Sequence, residues 1–263
     1  MTSIRRAALV FGCAAIAALT IRLAAAQPHA GPGTSLPNPP EVRPVNGVTS
    51  LTLTAAETPS GRAGMRYAGT PLLPTIRVRP GDRLKVTYVN RLAAHSTEQC
   101  ALGPCMDMTN LHFHGMEVSP DAPQDDVLTM LASPGQTLRY DVRVPQNHIP
   151  GLFWYHPHPH TESAEQTLDG MTGAIIVEGI DRYAPAVRGL RERVLVVRTM
   201  DARKANAHEI ASLRTLLNIP AKDCGTSGEQ ISGVATVNNA LRPTIAIAPG
   251  ERQFWRIANA QPD

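Results

Sequence analysis

The run NLHFHG, from Asn110 to Gly115, and the run GLFWYHPHPH, from Gly151 to His160, decide how this chain is read, since together they hold five of its nine histidines. In a β-strand successive side chains point to opposite faces, so His112 and His114 share one face while Phe113 takes the other. His156 and His158 are spaced in the same way. Gly115 closes the first pair, and Pro157 and Pro159 force the residues before them into extended backbone. The two prolines also remove N–H groups from one side of the second run. That places it at a sheet edge or at a strand end, where an open site can be reached.

Two His-x-His strands side by side bring four imidazoles to one spot, with no thiolate and no obligatory carboxylate among them. Such a set suits zinc, copper, iron or nickel. The Cα atoms of each pair lie about 6.6 Å apart along a strand, so a pair either chelates one ion or reaches two neighbouring ions. A single exposed His-x-His is as readily polar surface, but two pairs embedded in apolar and aromatic strands point to a metal. A β-lactamase-like zinc site would place an acidic residue just beyond the second pair, where this chain continues Pro159, His160, Thr161, Glu162. An amidohydrolase barrel requires strands alternating with long helices, and the sequence lacks that pattern.

Outward from the histidines, the composition is that of an all-β chain. There are 20 Gly and 23 Pro in 263 residues, and short Val/Ile/Thr-rich runs recur between them. Strands are expected at Leu51 to Thr54, Thr75 to Arg79, Arg83 to Asn90, Leu111 to Val118, Thr137 to Val144, Leu152 to His156 and Ala174 to Val177. Tight turns are expected at Pro80-Gly81-Asp82 and Ser133-Pro134-Gly135, and a short helix at Glu162 to Leu168. Seven strands fill one sandwich. The net charge of +3 is spread without a Lys/Arg cluster, which argues against nucleic acid as a partner.

Residues 1–26 read as a secretory signal. Arg5 and Arg6 precede an apolar run from Ala7 to Ile21, and Ala24 to Ala26 offer a small-residue cleavage site. The run is too short to span a bilayer comfortably, so no stable membrane span is expected and the mature chain is expected to be exported, periplasmic or extracellular. Arg5-Arg6 also allows a twin-arginine route, although the surrounding residues match it poorly. Residues 27–47 form a proline-rich extended leader. With Cys13 leaving in the signal, Cys100 and Cys105 most simply form a local disulfide in an oxidising compartment, and Cys224 is left odd. Residues 180–192 read as a linker. In residues 193–263, strands are expected at Val194 to Val197, Thr244 to Ile247 and Gln253 to Ile257, and a short helix at His208 to Leu217. His208 has no ligand-spaced neighbour and reads as surface.

The runs NLHFHGMEVSP (Asn110 to Pro120), GLFWYHPHPH (Gly151 to His160) and GMTGAIIVEG (Gly170 to Gly179) resemble the amino-terminal cupredoxin domain of the laccase-like multicopper oxidases. More weakly, RVLVVRTMD (Arg193 to Asp201) and VNNALRPTIAIAPGERQFWRIANA (Val237 to Ala260) resemble the opening strands of that family's second cupredoxin domain. The resemblance implies a cupredoxin, plastocyanin-like Greek-key sandwich over residues 48–179 and an incomplete second cupredoxin domain over residues 193–263. It implies copper in type 2 and type 3 centres, part of a trinuclear cluster whose ligands come from four His motifs, of which these are the first two. Carried over, His112 would bind the type 2 copper, His114 and His156 one type 3 copper, and His158 the other, whereas His160 matches a position that is usually not a ligand. An acid of the family assists proton delivery to bound oxygen and Asp125 matches its position, so Asp125 would relay protons, since reducing O2 to water consumes them. The rival reading of Asp125 and Asp126 is a solvated turn.

The family's type 1 copper needs a cysteine flanked by histidines, and neither Cys100, Cys105 nor Cys224 is so placed. Met106, Met108 and Met116 read as core or loop filling ahead of Cu(I) ligands. The leading expectation is a multicopper oxidase that couples one-electron oxidation of an unknown reducing substrate to reduction of O2, with further carboxy-terminal domains or another chain completing the site. The alternative is an exported, non-catalytic copper-binding module that buffers or delivers copper. A copper nitrite reductase is a weaker third reading, because that family places a cysteine where this chain has Pro157.

Overall fold

The strand from Arg83 to Arg91 (β5, RLKVTYVNR) shows why this sequence makes sheets. Leu84, Val86, Tyr88 and Asn90 turn inward and the residues between them face out, the period-two pattern of a half-buried strand. β5 pairs in parallel with β2 (Val48–Ala56) and antiparallel with β7 (Thr137–Arg143). With β3 (Met65–Tyr67) on the far side of β2, they form a four-stranded sheet ordered β3-β2-β5-β7. The computed structural model describes residues 35–58, 63–94, 107–160, 162–200 and 234–261. The expected signal segment, the Cys100–Cys105 pairing, Cys224, Met106, and the His208 to Leu217 helix lie outside them.

A five-stranded sheet faces the first. Its order is β1-β4-β9-β8-β6, built from β1 (Glu41–Val42), β4 (Thr75–Val78), β6 (His112–His114), β8 (Gly151–His156) and β9 (Gly173–Val177). Between the sheets Leu53, Leu84, Val86 and Tyr140 meet Ile76, Phe113, Tyr155 and Ile175. Each such side chain contributes about 1.5–3 kcal/mol on full burial. This is the expected sandwich of cupredoxin type. The expected turns are present, with Gly81 and Gly135 at positive φ, and the expected helix runs from Ser163 to Leu168 (α1).

β9 is buried on both faces, the environment of a covered inner strand. Ile175 and Val177 point into the sandwich, while Ala174 and Ile176 pack against Val194, Val196 and Ala260. Val194 and Val196 belong to a three-stranded sheet ordered β11-β10-β12, from β10 (Arg191–Met200), β11 (Val234–Val237) and β12 (Gln253–Asn259), and Ala260 follows directly after β12. Arg77, buried, is ion-paired with Glu41 and Glu178 at 2.8 Å and also with Glu192, which in turn holds Arg256 at 2.8 Å. The chain of charges ties this sheet to the sandwich.

Two expectations are corrected, and a third, which left a sheet edge and a strand end open, is decided. The strand expected from Leu111 to Val118 is only His112–His114, because Gly115 turns the chain at φ 80° and Met116 N–H closes back on Phe113 O. Thr244 to Ile247 is no strand, with Thr244 making one isolated bridge to Ser35. The second histidine run is not at a sheet edge, since β8 lies between β9 and β6. It is at a strand end: His156 is the last residue of β8 and the prolines fall beyond it. Among the described residues, no helix is long and apolar enough to cross a membrane.

Candidate metal centre

β6 and β8 run antiparallel with His112 opposite His156 and His114 opposite Trp154, so one face of the ladder carries three imidazoles and an indole. The opposite face carries Phe113 and Tyr155, both fully buried in the sandwich, and that burial fixes which way the histidines point. Ligand nitrogens of His112, His114 and His156 all lie within 4.8 Å of one another. His158, just past the strand, stands beside this trio with its ring 5.3 Å from that of His112 and 5.8 Å from that of His156. All four residues expected from the sequence are therefore brought together. His160, two residues further on, is exposed.

The hydrogen bonds on the far side of each ring decide which nitrogen is offered. His112 Nδ1 lies 3.0 Å from Asp125 Oδ2 and His156 Nδ1 lies 2.8 Å from Pro157 O. Both are acceptors, so both rings carry their proton on Nδ1 and present Nε2 as a lone pair, the arrangement that orients a metal-binding imidazole. His114 differs. Its Nδ1 faces His156 Nε2 at 3.2 Å, so this ring donates to its neighbour, and these two residues would hold a metal once that proton is released. Trp154 stacks on both rings, at 4.7 Å from His114 and 4.2 Å from His156.

Burial pushes the His156 imidazole down to about 3, and its three histidine neighbours add to the effect against the hydrogen bond to Pro157 O. His114 is lowered in the same direction, first by burial and then by His112 and His158. Neutral rings are what a metal requires. The donor set is thus up to four imidazoles, with His114 and His156 held neutral by burial and with no thiolate among the described residues of the cluster, which fits copper.

Asp125 and Asp126, adjacent in sequence, part company in the structure. Asp125 turns toward the centre, where it accepts from His112 Nδ1 and from the Phe113 backbone N–H at 3.0 Å. Asp126 instead accepts from Leu128 N–H and Thr129 N–H, at 3.0 and 2.9 Å, which makes it the turn residue of the two. Met116 is core filling.

Comparison with known proteins agrees with this geometry. A family model described as multicopper oxidase matches residues 51–181. The chain belongs to the multicopper oxidase family. An iron transport multicopper oxidase of Candida albicans is 34% identical over 194 residues, which cover 71% of this chain and 26% of that protein. A multicopper oxidase of Staphylococcus aureus is 29% identical over 114 residues, covering 43% of this chain and 21% of its own length. The solved multicopper oxidase of Campylobacter jejuni, titled a metallo-oxidase, superposes with a TM-score of 0.51 at 25% identity, over 65% of this chain and 34% of its own. The McoA multicopper oxidase of Aquifex aeolicus shares the fold, with a TM-score of 0.55 at 20% identity over 87% of this chain and 46% of its own. The chain thus spans about a quarter or less of these curated relatives. Members of this family are copper-dependent oxidoreductases.

Sequence reasoning missed several residues around the centre. Asn110 opens the first motif, and its buried amide contacts both the His158 and Val127 backbones. Its place two residues before His112, at the same alternation in the lead-in to β6, was the available signal. Trp154 has the corresponding signal on β8. Tyr140 has none, because its hydroxyl accepts the Leu111 N–H at 2.8 Å from 29 residues away.

Proposed function

We propose that His112, His114, His156 and His158 hold copper as this chain's share of a trinuclear cluster, in an oxidoreductase that couples one-electron oxidation of a reducing substrate to reduction of O2. The single observation that carries the reading is the convergence of three imidazoles from two paired strands within 4.8 Å, all on one face. His112 belongs to a type 2 centre and the other three to type 3 positions. Copper bound there supplies the one-electron redox chemistry.

The chain's own residues do the rest. Phe113 and Tyr155, locked in the core, hold the two strands so that the rings converge without rearrangement. Asp125 keeps His112 in the tautomer that presents Nε2, and Trp154 covers one side of His114 and His156 and excludes water from it. Reduction of O2 to two waters takes up four electrons and four protons, and Asp125, half-screened from solvent beside the ligands, is the group positioned to accept and pass protons. Export of the chain and participation of further domains or of another chain belong to the same reading. The alternative, a copper buffering or delivery module, uses the same four histidines and differs in lacking turnover.

The test is metal analysis of the purified chain after dialysis against Cu(II), beside the double variant His112→Ala/His156→Ala. Copper is expected to fall to background in the variant. Equal copper in the two proteins refutes the assignment. Oxygen consumption with a phenolic donor, above that of free copper and abolished by His114→Ala, is the result that excludes the delivery reading.

A further inference from the structure

Pro157 and Pro159 have no N–H, so the run from residue 157 to residue 159 offers one backbone donor, the amide of His158. It lies past the end of β8, where no ladder partner remains. That donor goes to a side chain: His158 N–H donates to Asn110 Oδ1 at 2.6 Å. Asn110 is fully buried, and its Nδ2 donates to Val127 O at 3.2 Å. One amide therefore ties three segments together: the lead-in to β6 with His112 and His114, the loop that carries Asp125, and the loop that carries His158.

We propose that Asn110 is a positioning residue for the copper centre, acting through His158, the one ligand that no strand holds. The inference rests on the copper-site reading above and deepens it. Asparagine suits the task because it offers an acceptor and a donor from one short planar group. Aspartate lacks the donor toward Val127 O, and alanine lacks both. The loop on the far side of His158 is anchored independently. Gln166 of α1 donates to Met108 O at 2.6 Å and accepts from Thr109 Oγ1 at 2.8 Å, and Thr109 also meets the buried Tyr88 hydroxyl at 2.8 Å. With the loop pinned at both ends, the amide of Asn110 sets where the imidazole between them stands.

The experiment uses the full chain with Cu(II) as the probe, read by quenching of Trp154 fluorescence and by the Cu(II) electron paramagnetic resonance spectrum. Removal of a partner that orients a ligand costs roughly 10-fold or more in metal affinity, so Asn110→Ala is expected to weaken copper by about 10-fold and to change the spectrum. In a His158→Ala background the same change should cost nothing further, because the residue it acts through is gone. A loss of equal size in both backgrounds marks a general structural effect and overturns the proposal, as does no loss in either. Hydrogen exchange on the parent protein gives a check that needs no variant: the His158 amide should be protected although it lies outside every strand, and fast exchange overturns the proposal. Copper binding that ignores all four histidines refutes instead the reading on which this rests, so the two failures are distinguishable.

Discussion

The two histidine pairs have the same ring chemistry and are fixed by different means. His112 and His114 sit within β6, their backbone paired to β8 and the residue between them, Phe113, driven into the core. His156 and His158 straddle the end of β8: the first is buried and in the ladder, the second is exposed beyond it, held by a buried asparagine amide and two prolines. A strand ladder fixes residues on one face only as far as the strand lasts. Past its end, each ring needs its own tie.

The supports under each pair can be removed separately, and the largest effect is expected beneath the second. Gly173 on β9 lies under Tyr155, and a Cβ there would come within 2.2 Å of the Tyr155 hydroxyl. Gly173→Ala forces β8 and β9 apart or drives Tyr155 from its bond to Pro74 O. Overpacking of this kind costs about 3 kcal/mol, visible as a lower urea midpoint. An unchanged midpoint would show that β8 has slack and that the second pair is not held by core packing.

Acid probes the buried member of the second pair next. The His156 ring is pushed down to about 3 from an ordinary value near 6.5, so between these limits the unfolded chain takes up a proton that the folded chain refuses. Stability from this residue is complete above about pH 6.5 and declines as pH falls toward 3, by up to roughly 1.4 kcal/mol per pH unit. In metal-free protein, His156→Gln should flatten the fall in urea midpoint between pH 6.5 and 5. A slope indifferent to the substitution would place the acid sensitivity elsewhere.

Under the first pair the expected effect is smaller. Tyr140→Phe removes the hydroxyl that accepts Leu111 N–H and leaves one buried donor unpaired, at a cost of about 1–2 kcal/mol. The loss should appear in the urea midpoint without a change in the acid slope, since His156 is untouched. Glu162→Gln, with the opposite sign, should raise stability at pH 8 and leave it unchanged at pH 4. Burial, with Asp107 adding to it, pushes the Glu162 carboxyl up to about 7. The folded state therefore favours the protonated form, and ionisation above that value is unfavourable. Thermal unfolding of the two proteins at both pH values checks the sign.

By itself, the sequence determined the period-two strands, the turns at Gly81 and Gly135, the four histidines and their likeness to a family. These are local properties, because strand alternation, proline and glycine geometry and His-x-His spacing all act within a few residues. It also made Asp125 a candidate, but Asp125 and Asp126 were indistinguishable until the 119–132 loop folded and turned one carboxylate to His112 and the other to Thr129. Only the tertiary structure decided that β8 is an inner strand and not an edge, because β6, which covers the side that β9 leaves open, pairs with it from 40 or more residues earlier in the chain, with His114 opposite Trp154. The short strands β1, β3 and β11 exist through such pairings, with too little periodicity of their own to announce them. The same holds for the ties of Asn110 to His158, of Tyr140 to Leu111 and of Gln166 to Thr109, which span 48, 29 and 57 residues. A hydrogen bond across that separation leaves no pattern along the sequence, because its geometry is set by the packing of two sheets and not by the spacing of the residues that make it.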